Sequence, residues 1–322
     1  MPRTVVICGA SSGIGLATAL AFARTGAELV LLSRRADAID EAAQACREAG
    51  AAFAVGVAGD VADAEALRAL ADRTIAETGR LDLWVNMAGV GALGAFEQVP
   101  IEVHRRIIET NLIGAMNGCH AALPAMLARG SGVIVNMASL GARVPQAFAA
   151  AYTASKWGLA GFTDSLRFEV LARSGVQVCG VYPTVVDTPA VQHAGNYTGR
   201  VLERMPPAIA PEVVADAVVE LADHPRRAVN LGAEHLMVPA FWMAPEIAGR
   251  LSARFTQRAL FERGRRGAAP TSGALLQPVP QGRSVSLGHQ GVAARRRVRN
   301  TALGVAAGVA GVAALAYAAR RA

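Results

Sequence analysis

Lysine is almost missing from this chain. Of its 32 basic side chains all but Lys156 are arginine. Where arginine supplies charge everywhere else, a retained lysine marks a position that needs a compact ammonium on a flexible stem, unless its survival is coincidental. Cysteine is scarce too. Cys8, Cys46, Cys119 and Cys179 lie far apart, without a CxxC pair or a histidine arrangement. That pattern argues against a metal site or a disulfide framework and reads as buried reduced thiols of a cytosolic protein. Acid is lacking at one end: residues 250–322 hold 13 arginines and one acid, Glu262, whereas residues 1–249 carry a net charge of −5. Basicity confined in this way points that end toward an anionic surface, membrane lipid or nucleic acid, and says little about the ligand of the rest. Aromatic residues do not interleave with the arginines, which ranks nucleic acid low. The first residues run straight into Thr4-Val5-Val6-Ile7-Cys8 without a charged n-region or long apolar stretch, so no signal peptide is expected.

What is present alternates. Short apolar, β-branched runs at 4–8, 28–33, 52–57, 83–86, 133–137 and 177–182 are separated by helical patterns at 14–25, 36–49, 62–78, 101–127 and 149–173. Continuous apolar strands between helices predict a parallel sheet covered on both faces, a Rossmann-like doubly wound α/β fold in a single domain. Ligands of such sheets sit beyond the carboxyl ends of the strands. Residues 183–207, with Gly195, Gly199 and few periodic apolar positions, predict a mobile lid or a pair of short helices, followed by a helix over 211–222. Residues 1–250 are thus assigned to this one domain. Residues 251–300 have the Gly/Pro/Ser/Arg composition of a partly disordered basic linker.

Gly9-Ala10-Ser11-Ser12-Gly13-Ile14-Gly15 follows the first strand and opens the first helix, the context of a loop that cradles a dinucleotide pyrophosphate. At the end of the second strand, where an acid would bind the ribose hydroxyls of NAD, stands Ser33-Arg34-Arg35. Guanidinium groups can hold a 2′-phosphate bidentately, so NADP(H) is expected in preference to NAD(H). The alternative is two solvated arginines at a helix start. Asp60-Val61, Asn86-Met87-Ala88-Gly89 and Asn136-Met137-Ala138-Ser139 follow the next strands. Tyr152 and Lys156, four apart, share a helical face. Asn111 falls within a long helix, where asparagine is intrinsically unfavourable; it is either functional or a satisfied core asparagine.

Together these residues resemble the short-chain dehydrogenase/reductase family, in its single-domain branch with a Tyr-x-x-x-Lys signature, over roughly residues 4–239. The resemblance implies a catalytic set of Asn111, Ser139, Tyr152 and Lys156. It implies cofactor contacts from Gly9, Ser11, Ser12, Gly13, Ile14 and Gly15, from Ser33, Arg34 and Arg35, and from Asp60 and Val61 on the adenine side. Asn86, Ala88, Gly89, Tyr152, Lys156, Pro183, Val186 and Thr188 complete that set. Cys8, Met87 and Thr184 depart from the family pattern, and a β-branched residue at 184 in place of glycine would fill space beside the nicotinamide. The implied reaction is hydride transfer between NADP(H) and a carbonyl or secondary alcohol, with Tyr152 as proton donor and Ser139 on the substrate oxygen. Lys156 would bond the ribose and lower the tyrosine pKa, and Asn111 would support a water chain. The apolar stretch 140–148 and the lid lean toward a lipophilic substrate. Family members commonly form dimers or tetramers through the helices corresponding to 101–127 and 149–173.

A non-catalytic or regulatory NADP-binding protein, tethered by its tail, is the competing expectation. Residues 301–319 carry no charge and are bracketed by arginines, with Gly304 and Gly308 at GxxxG spacing. They are a candidate transmembrane helix, an interfacial or partner-binding helix, or a soluble Ala-rich helix. If the stretch spans a membrane, the heavier basic flank before it predicts a cytoplasmic catalytic domain.

Overall fold

Alternate residues of the first strand, β1 (Thr4–Cys8), serve two different cores, and the rest of the architecture follows from that. Val5 and Ile7 pack into one hydrophobic cluster, Val6 and Cys8 into another, and all four are fully buried. A strand apolar on both faces needs cover on both. The computed structural model, which describes residues 2–202, 208–262 and 266–288, supplies it.

The chain continues through α1 (Gly13–Ala23), β2 (Glu28–Ser33), α2 (Ala36–Glu48), β3 (Phe53–Ala58), α3 (Ala64–Thr78) and β4 (Leu83–Asn86). A short β5 (Ala92–Leu93) precedes α4 (Ile101–Ile108), a π-turn (Glu109–Ile113) and α5 (Gly114–Arg129). Then come β6 (Ser131–Met137), α6 (Ala150–Leu171), β7 (Gly175–Pro183), α7 (Ala190–His193), β8 (Gly195–Asn196), α8 (Pro211–Asp223) and β9 (Ala228–Leu231). Two further helices, α9 (Val238–Met243) and α10 (Pro245–Gln257), follow.

Seven strands form one parallel sheet in the order β3-β2-β1-β4-β6-β7-β9. Phe22 of α1, Ile39 of α2 and Val218 of α8 cover one face; Leu70 of α3, Met126 of α5 and Val170 of α6 cover the other. The order reverses between β1 and β4, opening a crevice at their carboxyl ends. Close approach there depends on glycine: a Cβ on Gly118 would lie 2.1 Å from Asn86 Oδ1, and one on Gly114 2.5 Å from Val61 Cγ2.

Several expectations need correction. β9 was not anticipated, because an edge strand of four residues with Asn230 inside it carries little apolar pattern. The 183–207 lid contains one short helix and a strand, β8, which pairs with β5; residues 203–207 lie outside the described residues. A boundary at residue 250 would cut α10, and residues 266–288 are packed against the body, contrary to a linker. Their composition misleads because most of the contacts are made by backbone groups, with Leu275 buried and Arg283 and Ser286 bonding through their side chains. No helix among the described residues is long and apolar enough to cross a membrane; the 301–319 stretch lies outside them.

Candidate active site

The loop after β1 is shaped for a ligand with a phosphate. Gly9 has φ +93°, and a Cβ there would lie 2.7 Å from the Ala88 nitrogen; a Cβ on Gly15 would lie 2.0 Å from the Gly9 carbonyl oxygen. Only glycine lets the helix start this close to the strand end. Ser12 precedes α1 without capping it through its side chain, and the first turn carries no acid, so no side chain of the helix's own start compensates its amides and dipole.

This loop forms one wall of a cavity of about 490 Å³. Ser11, Ser12, Gly13, Ile14, Ser33, Arg34, Arg35, Asp60, Val61, Ala88 and Gly89 line it at one end, and Ser139, Tyr152, Lys156, Pro183, Val186 and Thr188 at the other. Asn86 does not. Its side chain turns beneath the cleft, where Nδ2 donates to Asn136 Oδ1 (2.8 Å) and the Ala115 carbonyl (3.3 Å) and Oδ1 accepts from Trp84 Nε1 (2.8 Å). The Asn86 side chain thus belongs to a buried network joining β4, β6 and α5.

Near the end of β2 the guanidiniums of Arg34, Arg35 and Arg106 gather beside Asp60, with Glu109 3.7 Å from Arg106. Asp60 is paired with Arg106, and burial together with Arg106 and Arg35 pushes the Arg34 pKa down while Asp60 pushes it up. Burial likewise pushes the Arg35 pKa down while Asp37 and Glu41 push it up, and the guanidiniums of Arg34 and Arg35 line the cleft, where they can bond an anion. Sequence alone does not point to Arg106, since one arginine among 31 carries no signal without the α4 register.

At the other end Tyr152, Lys156 and Ser139 converge. The Lys156 ammonium lies 5.8 Å from the Tyr152 ring centroid and donates to the Met137 carbonyl at 2.8 Å. Burial lowers its pKa to about 8. Burial raises the Tyr152 pKa, and a hydrogen bond with Ser139 partly offsets this. The tyrosine pKa thus moves up where a downward shift is expected, because desolvation of the phenolate is the largest cause. Ser139 Oγ also accepts from the Gly141 amide at 3.0 Å.

Asn111 stands in the π-turn, a feature often found at functional sites. It does not line the cavity. Its Oδ1 accepts from the Val90 amide (2.8 Å), and Nδ2 donates to the Val90 carbonyl (2.9 Å) and Ser155 Oγ (2.9 Å), bracing the loop beside Gly89 and Gly91. Gly91 was missed by sequence; a Cβ there would lie 3.3 Å from Tyr152 Cδ2. Thr184 lines the cleft, and its buried hydroxyl has no partner. No cluster of metal-ligating side chains occurs among the described residues.

The donors, glycines and cavity fit a nicotinamide dinucleotide. Comparison with known proteins agrees. The short chain dehydrogenase family matches residues 3–197. An uncharacterized oxidoreductase, YxnA of Bacillus subtilis, is 32% identical over 266 residues, covering 80% of this chain and 72% of its own length. The cis-4-hydroxycyclohexanecarboxylate dehydrogenase of Sinomonas cyclohexanicum is 40% identical over 225 residues, covering 68% of this chain and 89% of its own. Among solved structures, a metagenomic short-chain oxidoreductase in complex with NADP superposes with a TM-score of 0.60 at 33% identity, covering 71% of this chain and 96% of that one. With its sheet order, its glycine loop and this match in hand, the chain belongs to the short-chain dehydrogenase family of oxidoreductases.

Proposed function

We propose that the protein interconverts a lipophilic secondary alcohol and its ketone with NADP(H), preferred over NAD(H), as the hydride carrier. The observation that carries this reading is Tyr152, a protonated phenol facing the cleft with Ser139 bonded to it and Lys156 beneath. A nicotinamide cofactor would supply or accept the hydride. In the reductive direction Tyr152 Oη holds the proton that the substrate oxygen needs, and the raised pKa keeps it there at neutral pH. Ser139 Oγ would hydrogen-bond the same oxygen. Lys156 brings a positive charge that stabilises the phenolate left behind, and Asn111 holds the Val90 loop in place.

NADP preference rests on Arg34 and Arg35 at the end of β2, beside Arg106. The substrate end of the cleft is walled by Leu93, Leu140, Ala149, Val185, Val191 and Leu202, which supports an apolar substrate. Pairing of subunits through the long helices is supported by exposed Met116 on α5 and by Phe168 and Leu171 on α6, the phenylalanine 64% exposed.

The reading is tested by incubating the full chain with NADPH or NADH and a panel of aliphatic, alicyclic, steroid-like and acyl-derived ketones while following cofactor absorbance. Ketone-dependent oxidation of NADPH, faster than that of NADH, is expected. Binding of NADPH without turnover of any ketone or alcohol would remove the enzymatic reading.

A further inference from the structure

Residues 266–288 are seated on the cofactor cleft. The segment first pairs with the chain after α7: Asn196 and Thr271 exchange backbone hydrogen bonds of 2.8 and 3.0 Å, and the Ala274 amide donates to the His193 carbonyl at 2.9 Å. Leu275 then plugs, fully buried, into a cluster with Ala92, Val103 and Ile107.

Beyond that plug the segment's carbonyls occupy the cleft's donors. Arg34 donates to the carbonyls of Ala274 and Leu275, the latter at 2.9 Å, and Arg35 to those of Val279 and Gln281, both at 3.0 Å. The Gly13 amide, at the start of α1, donates to the Ser284 carbonyl at 3.0 Å. Outside the cleft Arg283 pairs with Asp37 and Glu41, and Ser286 Oγ donates to Asp187 Oδ2 at 2.8 Å.

These donors are the ones a phosphorylated nucleotide needs: two guanidiniums after β2 and an amide at a helix N-terminus. Neutral carbonyl oxygens stand where phosphate oxygens would bond. We propose that residues 271–288 form an autoinhibitory strap, a backbone stand-in for cofactor phosphates, whose docking and NADP(H) binding exclude one another. The proposal rests on the NADP(H) reading above.

Charged phosphate makes the stronger hydrogen bonds. The strap, however, is tethered to the body it binds, so it competes at an effective concentration on the order of millimolar without any free-ligand cost. It therefore raises the apparent dissociation constant by the reciprocal of the fraction of chains in which it is released, and does not abolish binding.

The test uses the full chain and two substitutions in the strap. Leu275→Asp removes the buried plug. Arg283→Glu, on the surface, turns two ion pairs into repulsion and carries no folding risk from a buried charge. Dissociation constants for NADPH and for 2′,5′-ADP are measured by calorimetry, and amide hydrogen exchange is followed at Gly13, Thr271 and Ala274. Both variants are expected to bind both ligands roughly tenfold more tightly than wild type, the size of a released tethered competitor. In wild type, NADPH is expected to speed exchange at Thr271 and Ala274. Unchanged affinities, or equal or greater protection of Thr271 and Ala274 with NADPH bound, would overturn the strap and make the segment a fixed wall of the site. If neither ligand binds wild type or variants, the cofactor reading itself falls and the strap with it.

Discussion

Asn111 clasps Val90 by both of its backbone polar groups, accepting from the amide at 2.8 Å and donating to the carbonyl at 2.9 Å. A side-chain amide is the group that can do both at once. The π-turn at Glu109–Ile113 carries it, and the loop it braces leaves only 3.3 Å between a hypothetical Cβ on Gly91 and Tyr152. Asn111 is thus a positioning residue for the wall against which the phenol packs.

Replacing Asn111 by Leu leaves Val90 with an unpaired amide and carbonyl. The expected cost is roughly 2–4 kcal/mol, the penalty for two partly buried polar groups. Asn111→Asp keeps the acceptor and loses both donors, so it should fall between Leu and wild type. Urea unfolding at neutral pH orders the three proteins. An Asn111→Leu variant as stable as wild type would show that the clasp contributes nothing.

Tyr152→Phe deletes the proposed proton donor and leaves the ring packing beside Gly91 in place. Turnover should drop by about 10²-fold or more, the usual contribution of a positioned acid. The NADPH dissociation constant should change little. A variant that keeps its kcat would place the proton source elsewhere.

Much of this arrangement is legible in the sequence, and the rest fails for identifiable reasons. The alternation of apolar runs and helices predicts six of the seven sheet strands, because strands buried on both faces have to be apolar throughout. Motifs adjacent to strand ends, such as Gly9 to Gly15 and Ser33 to Arg35, are local, and the fold places them where the chain order implies. Asn86 shows the limit: strand-end position does not say which way a side chain turns, and here Trp84 and Asn136 claim it. The direction of the Tyr152 shift depends on burial, which no spacing reveals. Residues 266–288 are illegible for another reason. Their contacts to Arg34, Arg35 and Gly13 use backbone carbonyls, which every residue has.

Lys156 gives stability a particular pH dependence. Its pKa is about 8 in the folded chain, against an ordinary value of 10.5. Below about pH 8 both folded and unfolded chains carry the ammonium, and the full cost of burying it is present. Between about 8 and 10.5 the unfolded chain still holds a proton the folded chain has released, so stability rises with pH. The cost relieved is roughly 3 kcal/mol. Buried thiols act in the opposite sense, with Cys46 pushed up to about 11 and Cys119 to about 12, so the folded chain keeps protons that the unfolded chain loses. Comparing wild type with Lys156→Met isolates the lysine. In urea unfolding the variant's advantage should be greatest near neutral pH and shrink as pH approaches 10; an advantage constant across that range would refute the shift.

Two glycines with different surroundings separate close approach from backbone freedom. A Cβ on Gly15 would overlap the Gly9 carbonyl, whereas Gly26, with φ +74°, has nothing within 4 Å of its hypothetical Cβ. Gly26→Ala should cost about 1–2 kcal/mol, the left-handed penalty alone. Gly15→Ala must move the start of α1 and should abolish NADPH binding even where the protein stays folded by circular dichroism. Retained binding would mean that the α1 amides do not hold the cofactor.

Arg34→Ala tests cofactor choice and the strap's grip together. Arg34 is expected to hold the 2′-phosphate, so its loss should weaken NADPH by about ten- to a hundredfold, the strength of a charged bidentate contact. NADH lacks that phosphate. Its affinity should stay the same or improve, because Arg34 also donates to the carbonyls of Ala274 and Leu275 and its removal loosens the segment over the site. Titrating both cofactors against wild type and variant reads the two effects separately. Equal weakening of NADPH and NADH would assign Arg34 to the structure of the cleft and deny it a role in recognising the phosphate.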